Sequence, residues 1–68
     1  MKYILEHYSR RDIKTLWKKE FTTREEVLKE IDKFLKENLL FVVAKEYCDD
    51  SNWWYLNDGT ELDFCICE

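Results

Sequence analysis

Four residues of this 68-residue chain carry side chains suited to metal chemistry: the thiols of Cys48, Cys65 and Cys67 and the imidazole of His7. Cys65 and Cys67 are two positions apart, so on a strand both thiols would point the same way, toward a Cys₃His zinc site. Zinc knuckles, however, usually place roughly two to four residues between paired cysteines. Free cysteine is also a common small core residue. We therefore predict reduced thiols and no metal site.

His7 is the only histidine, and it is the best candidate for acid–base chemistry, with Glu6 or Asp12 near it in sequence. A Cys–His nucleophile pair would also need an orienting third group and a pocket. Pockets that bury small ligands enclose roughly 300–1,000 Å³, which is large for a domain of this size. The single glycine excludes a glycine-rich phosphate loop. We predict no catalytic residues, no cofactor and no enzymatic activity.

Charge is distributed unevenly along the chain. Residues 46–68 contain seven carboxylates and neither Lys nor Arg, whereas all 11 basic residues lie before them. Edge strands are usually protected by lysine, and this segment uses none. Complementary charge speeds association, and Trp and Tyr are enriched at binding hot spots. We therefore predict a protein-binding hairpin that docks on a basic partner surface, for example one that normally holds nucleic acid. Its residues are Asp49, Asp50, Trp53, Trp54, Tyr55, Asp58, Glu61 and Asp63.

A more ordinary interpretation of the same residues stays open. Alternation of carboxylates with apolar side chains is typical of any half-buried strand, so the acidic groups would then only face solvent. Trp53 and Trp54 are neighbours, and neighbours on a strand point to opposite faces. One indole therefore enters the core, and the other becomes an interaction anchor if nothing in the monomer covers it.

Two further functions also stay open. A basic patch with aromatic neighbours could bind single-stranded nucleic acid through phosphate contacts and base stacking. Its residues are Arg10, Arg11, Lys14, Trp17, Lys18 and Lys19. The sequence pI of about 5.0 argues against this function, because nucleic-acid domains are usually basic. Alternatively, eleven aromatic rings exceed what a thin domain can bury, and a homodimer would cover the surplus.

Composition indicates one folded domain over residues 1–68. The chain is 38% charged with both signs present, has no proline, and contains no linker-like stretch. The first residues hold too short an apolar run for a signal peptide, and no segment is apolar enough to span a membrane. We expect a cytoplasmic protein without a membrane partner. Its size and high Lys and Glu content fit a small accessory or inhibitor protein, for example of a phage or mobile element.

One helix is strongly predicted, over residues 23–37. Thr23 can cap its N-terminus, and Glu26 lies three residues later, where a capping box requires an acidic side chain. Five apolar residues then share one helical face. They are Val27, Leu28, Ile31, Phe34 and Leu35. Asn38 is the expected left-handed residue that ends the helix.

The remaining segments favour strands, so the expected fold is α+β with the order ββαβββ. Residues 40–47 begin with an apolar run, which predicts a strand near the sheet centre. A right-handed crossover would place this strand beside the first one. The prediction is therefore an antiparallel sheet of four to five strands, order about 2-1-3-4-5, with the helix packed on one face.

The last hairpin has two possible registers around Asn57-Asp58-Gly59-Thr60. A two-residue loop pairs Tyr55 with Leu62, whereas a three-residue loop with Gly59 in the left-handed region pairs Trp54 with Leu62. A shift of one residue exchanges the two faces of a strand, so the register decides which tryptophan is buried.

Overall fold

The computed structural model describes residues 2–67, with side chains through Ile66. Its elements are β1 (Lys2–Ser9), β2 (Lys14–Phe21), α1 (Arg24–Asn38), β3 (Val42–Cys48), β4 (Ser51–Leu56) and β5 (Thr60–Cys67). The five strands form one antiparallel sheet, and α1 packs on one face of it. The predicted α+β class and the ββαβββ order are confirmed. No helix in this described range is long and apolar enough to cross a membrane.

The strand order is β2-β1-β5-β4-β3, so the predicted position of β3 beside β1 is wrong. β3 forms one edge of the sheet, and six of its seven residues are exposed, Val42 being the exception. The central strand is β5, in which Leu62 and Phe64 are buried on one side and Glu61 is buried on the other. An edge strand is covered less than a central one, and the apolar run that suggested a central β3 leaves Phe41 and Val43 exposed.

The helix begins as the sequence predicts. The Thr23 hydroxyl accepts a hydrogen bond from the backbone N–H of Glu26 at 3.2 Å, and the Glu26 carboxylate accepts one from the N–H of Thr23 at 3.1 Å. The C-terminus differs by one residue, because Leu39 rather than Asn38 adopts the left-handed conformation, with φ of 54°. Asn38 stays helical and donates its side-chain amide to the carbonyl of Phe34 at 2.8 Å.

The core lies between α1 and the sheet. Its fully buried residues are Leu5, Val27, Ile31, Leu56, Leu62 and Phe64. Leu28, Phe34 and Leu35 pack against them, so the predicted apolar helix face is confirmed. In the last hairpin Trp54 pairs with Leu62, and Gly59 has φ of 89°. The three-residue loop is therefore the register adopted, which turns Trp54 toward the helix.

Each edge strand contains a register shift and lysine. In β2 the pairing skips Leu16, and in β3 it skips Val43, so both are extra residues of β-bulges. Lys14, Lys18 and Lys19 lie on β2, and Lys45 lies on β3. The hairpin β4–β5 is interior, so its lack of lysine reflects its position in the sheet and is not an unprotected edge.

Candidate functional site

One face of the sheet has no helix over it, and we call it the helix-free face. Side chains alternate along a strand and directly paired residues share a face. Leu5 pairs with Phe64 and both enter the core, so Glu6 and its partner Asp63 point the other way. The pairings place these side chains on the helix-free face of the three inner strands: Ile4, Glu6, Tyr8, Trp53, Tyr55, Glu61, Asp63 and Cys65.

Three carboxyl groups meet at the middle of this face. Asp63 lies directly opposite Glu6 on β1, and Glu61 precedes it by two residues on the same side of β5. Burial, then a hydrogen bond to Glu61, then the charges of Glu61 and Glu6 raise the pKa of Asp63 to about 8. These influences favour the neutral form of the Asp63 carboxyl group at neutral pH. Its Oδ1 is inaccessible to water and has no hydrogen-bond partner among the described residues.

Two aromatic rings on β4, those of Trp53 and Tyr55, flank this cluster of carboxyl groups. Trp53 lies opposite Asp63 on one side and opposite Glu46 of β3 on the other. Tyr55 donates a hydrogen bond to Glu46, and this bond, followed by burial, raises the pKa of the Tyr55 hydroxyl. The rings are therefore held in place by charged neighbours on the same face.

Basic residues border this cluster of carboxyl groups. The guanidinium carbon of Arg10 lies 5.1 Å from the centroid of the Tyr55 ring, and its Nε lies 3.8 Å from Glu61. On the β2 side, Lys18 is the cross-strand partner of Glu6, and Glu6 accepts a hydrogen bond from the Thr15 hydroxyl. The Asp63 carboxyl group has no basic residue as a direct cross-strand partner.

A cavity of about 180 Å³ opens beside Asp63, between β1, β4 and β5. Its walls include the carboxyl groups of Glu6 and Asp63, the indole of Trp53, and the side chains of Ile4 and Cys65. The cavity thus combines an acidic wall with an aromatic and an aliphatic one.

Of the eight residues predicted to bind a partner, the structure brings together Trp53, Tyr55, Glu61 and Asp63 on the helix-free face. Trp54 lies on the opposite side of the sheet, where its ring packs edge-on against Phe64 at 5.5 Å. Asp49 and Asp50 form the β3–β4 turn, and Asp58 lies in the β4–β5 loop. These three acids lie beyond the strands, at the ends of the hairpins they join.

Glu6, Tyr8 and Glu46 belong to the face and were missed as site residues. The sequence-based prediction compared charges of residues that are close in sequence. The face, in contrast, combines residues from β1, β3, β4 and β5, which are distant in sequence. The alternation in β1 could have identified them, because Glu6 and Tyr8 alternate along the strand with the buried residues Leu5, His7 and Ser9. Pairing that strand with β5 would have placed Glu6 beside Asp63.

The predicted basic patch is divided by the sheet. Trp17 pairs with His7 and lies on the helix side, together with Lys19, whose Nζ is 2.7 Å from Glu30. Lys18 points to the helix-free face, and Lys14 begins β2. The two arginines, Arg10 and Arg11, lie in the β1–β2 loop, where Arg11 is 3.7 Å from Asp12.

His7 and the described cysteines do not converge. His7 is buried against Trp17 and Phe34, and its Nε2 lies 2.8 Å from the hydroxyl of Thr60. Burial lowers the pKa of His7, while the charge of Asp58 opposes this change. Cys65 lies on the other face of the sheet, and the side chain of Cys67 is outside the described residues. Among side chains 2–66, no three His, Cys, Asp or Glu residues form a group able to hold a metal ion.

A comparison of this chain with protein-family models, curated proteins and solved structures finds no match. The helix-free face, with its geometry and its charge, is therefore the candidate site from which a function is inferred.

Proposed function

We propose that this chain is a non-enzymatic protein-binding module, acting as an inhibitor or adaptor, that docks its helix-free face on a basic surface of a partner protein. One observation carries the proposal: an uncovered sheet face places the aromatic rings of Trp53 and Tyr55 beside carboxyl groups. Trp53 lies between Asp63 and Glu46, and Tyr55 lies between Glu61 and Ala44.

This combination suits a basic protein surface for two physical reasons. Trp and Tyr contribute a large contact area at small entropic cost and are enriched among the residues that dominate binding free energy. Carboxylates that face a basic partner accelerate encounter and fix the orientation of docking. The strands hold both kinds of side chain in a fixed register, so little ordering cost accompanies binding.

Binding of single-stranded nucleic acid has less support from the geometry. The stacking ring of that hypothesis, Trp17, faces the helix and contacts Phe34 at 5.3 Å. Lys19 is bonded to Glu30 on the same side of the sheet. A continuous basic groove with accessible rings, which such binding requires, is not formed by these residues.

The test is affinity capture from a lysate of the source cell, followed by binding measurements with the purified partner. The variant Glu46→Lys with Glu6→Gln changes the charge of the helix-free face while leaving the buried Glu61 and the half-buried Asp63 intact. We expect an identified partner with a basic surface, and at least a tenfold loss of affinity in this variant. The far-ultraviolet circular dichroism should be unchanged.

A matched control carries the same charge change on the helix, as Glu25→Lys with Glu37→Gln, since both residues are exposed there. If the control weakens binding as much as the face variant, net charge rather than the face is responsible, and the proposal fails. Recovery of only further copies of this chain would instead favour a self-associating subunit.

A further inference from the structure

Asp63 lies at the wall of a cavity and has no basic residue as a direct cross-strand partner. Two carboxyl groups can hydrogen-bond to each other only while one of them keeps its proton. The approach of Glu61 to Asp63, together with the burial of Asp63, therefore favours a proton retained between the two carboxyl groups. The free Oδ1 of Asp63 agrees with this, since a buried neutral oxygen without a partner costs much less than a buried charged one.

The charged groups around the pair explain why the proton stays. On β5 the neighbour is Glu61, on β1 Glu6, and on β3, beyond Trp53, Glu46. The basic residues beside the pair face other carboxylates: Arg10 lies 3.8 Å from Glu61, and Lys18 is the cross-strand partner of Glu6. Other titratable groups on the face are Tyr8, Tyr55 and Cys65. Ionisation of Asp63 would thus add a negative charge between two others without a new partner.

A cation in the adjoining cavity would supply that partner. The space beside Asp63 is about 180 Å³, room for several groups the size of a water molecule at about 30 Å³ each. Glu6 offers a second carboxylate, Trp53 offers an indole, and Ile4 offers an aliphatic wall. A charged head group with an aliphatic stem matches these three walls, because carboxylates and indole rings attract the head and the stem packs on apolar surface.

We propose that a lysine or arginine side chain of the partner enters this cavity, and that its entry displaces the proton that Asp63 shares with Glu61. The inference rests on the proposed function and specifies its chemistry. No covalent bond other than O–H changes: the Asp63 carboxyl group loses its proton to the solvent, and the incoming cation takes over the charge compensation. Binding is therefore coupled to proton release and strengthens as the pH rises.

The probe is Nα-acetyl-lysine N-methylamide, titrated into the isotope-labelled chain and followed by nuclear magnetic resonance. Nα-acetyl-norleucine N-methylamide, which has no charge, is the control ligand. We expect the lysine probe to shift the amide signals of Ile4, Trp53 and Asp63, with affinity at least tenfold higher at pH 9 than at pH 6. The probe keeps its own charge over this range, since the pKa of lysine is about 10.4.

Two variants separate the titration of Asp63 from other causes. Asp63→Asn preserves the shape but can neither lose a proton nor gain a charge, so the probe should bind weakly at both pH values. Glu25→Gln, on the exposed surface of the helix and outside the cavity, removes a carboxylate elsewhere and should keep the full pH dependence.

Equal affinity for the lysine probe at pH 6 and pH 9, or equal binding of the norleucine control, would overturn the inference. So would a pH dependence that survives in Asp63→Asn. The proposed function fails by a different result, namely partner binding that is indifferent to Glu46→Lys with Glu6→Gln. If that variant loses the partner while Asp63→Asn keeps it, the face is confirmed as the docking surface and the proton exchange is rejected.

Discussion

The two faces of the sheet are made by the same strands and are built on opposite principles. In β5, Leu62 and Phe64 enter a dry core under the helix, while Glu61 and Asp63 lie between them on the other side. The covered face is held by apolar contact with Val27 and Ile31. The helix-free face is held by hydrogen bonds and ring contacts between polar side chains.

This difference separates stability from binding within a single strand. Apolar burial stabilises by roughly 25 cal/mol per Å² and requires no particular partner geometry. A buried carboxyl group, in contrast, costs free energy unless its neighbours satisfy it. We infer that the covered face supplies most of the folding free energy, and that the helix-free face keeps groups whose free energy is lowered by a partner.

The largest expected effect is on the covered face. Phe64→Ala should destabilise the chain by about 3–5 kcal/mol, because it opens a cavity in the core. Since a domain of this size rarely exceeds about 3–5 kcal/mol in total, most molecules should be unfolded at 25 °C. Urea denaturation followed by circular dichroism measures this loss.

The matched change on the helix-free face is Trp53→Ala, which removes a larger but only partly buried ring. Its cost should be less than half that of Phe64→Ala. Equal destabilisation by the two changes would mean that both faces are core, and the proposed separation of roles would be wrong.

A smaller effect concerns pH, to which the two faces respond in opposite directions. The pKa of Asp63 is raised from 3.8 to about 8, so its contribution to stability is complete below pH 4 and is lost as the pH rises toward 8. The pKa of His7 is lowered from 6.5, so its contribution is present above pH 6.5 and is lost on acidification. Between pH 4 and pH 6.5 the two contributions change in opposite directions, and above pH 6.5 the loss of the Asp63 contribution alone should lower the melting temperature.

Asp63→Asn tests the alkaline side of this profile. Screening by solvent on the open face limits the effect to about 1–2 kcal/mol, and each kcal/mol changes the melting temperature by about 4–8 °C. The variant should lose the decline between pH 6.5 and about pH 8, while the loss of the His7 contribution on acidification below pH 6.5 should remain. A decline of unchanged size in Asp63→Asn would assign it to another group. Calorimetry across this range decides between the two results.

The smallest effect lies at a position that belongs to neither face. Ile13, in the β1–β2 loop, has φ of 52° and is 77% exposed. A β-branched residue is strained in this left-handed region, whereas glycine is not. Ile13→Gly should stabilise the chain by about 0.5–1 kcal/mol, after the entropy that glycine adds to the unfolded state. Ile13→Ala, which keeps a Cβ, should gain less, and thermal denaturation distinguishes the three chains.

The parts of the fold that depend on near neighbours were predictable from the sequence. Thr23, Glu26 and the apolar helix positions lie within one or two turns of each other, and the helix forms as predicted. The strand order depends instead on which strand pairs with the free side of β1, and that strand, β5, is distant in sequence. The apolar run before Val43 suggested a central β3, but β5 takes the centre, where Leu62, Phe64 and Glu61 are buried. Such pairings are decided by the whole sheet.

The site was predictable to a similar degree. Trp53, Tyr55, Glu61 and Asp63 were identified because their alternation belongs to one hairpin. Glu6 was missed because it is 57 positions away in sequence from its cross-strand partner Asp63. The loop register that turned Trp53 outward was one of two that the turn residues allowed. The structure selects it through Leu56, which the longer loop places in the core.

The β-bulges at Leu16 and Val43 affect how copies of this chain can associate at high protein concentration. Each interrupts the hydrogen-bonding ladder of an outermost strand, and lysines stand beside both. A flat and regular outer strand would let copies of the chain add to one another indefinitely, as in cross-β fibres. Here the sheet ends at five strands. A chain rich in aromatic and β-branched residues can thus present rings on its broad side and still be made in quantity without growing into a fibril.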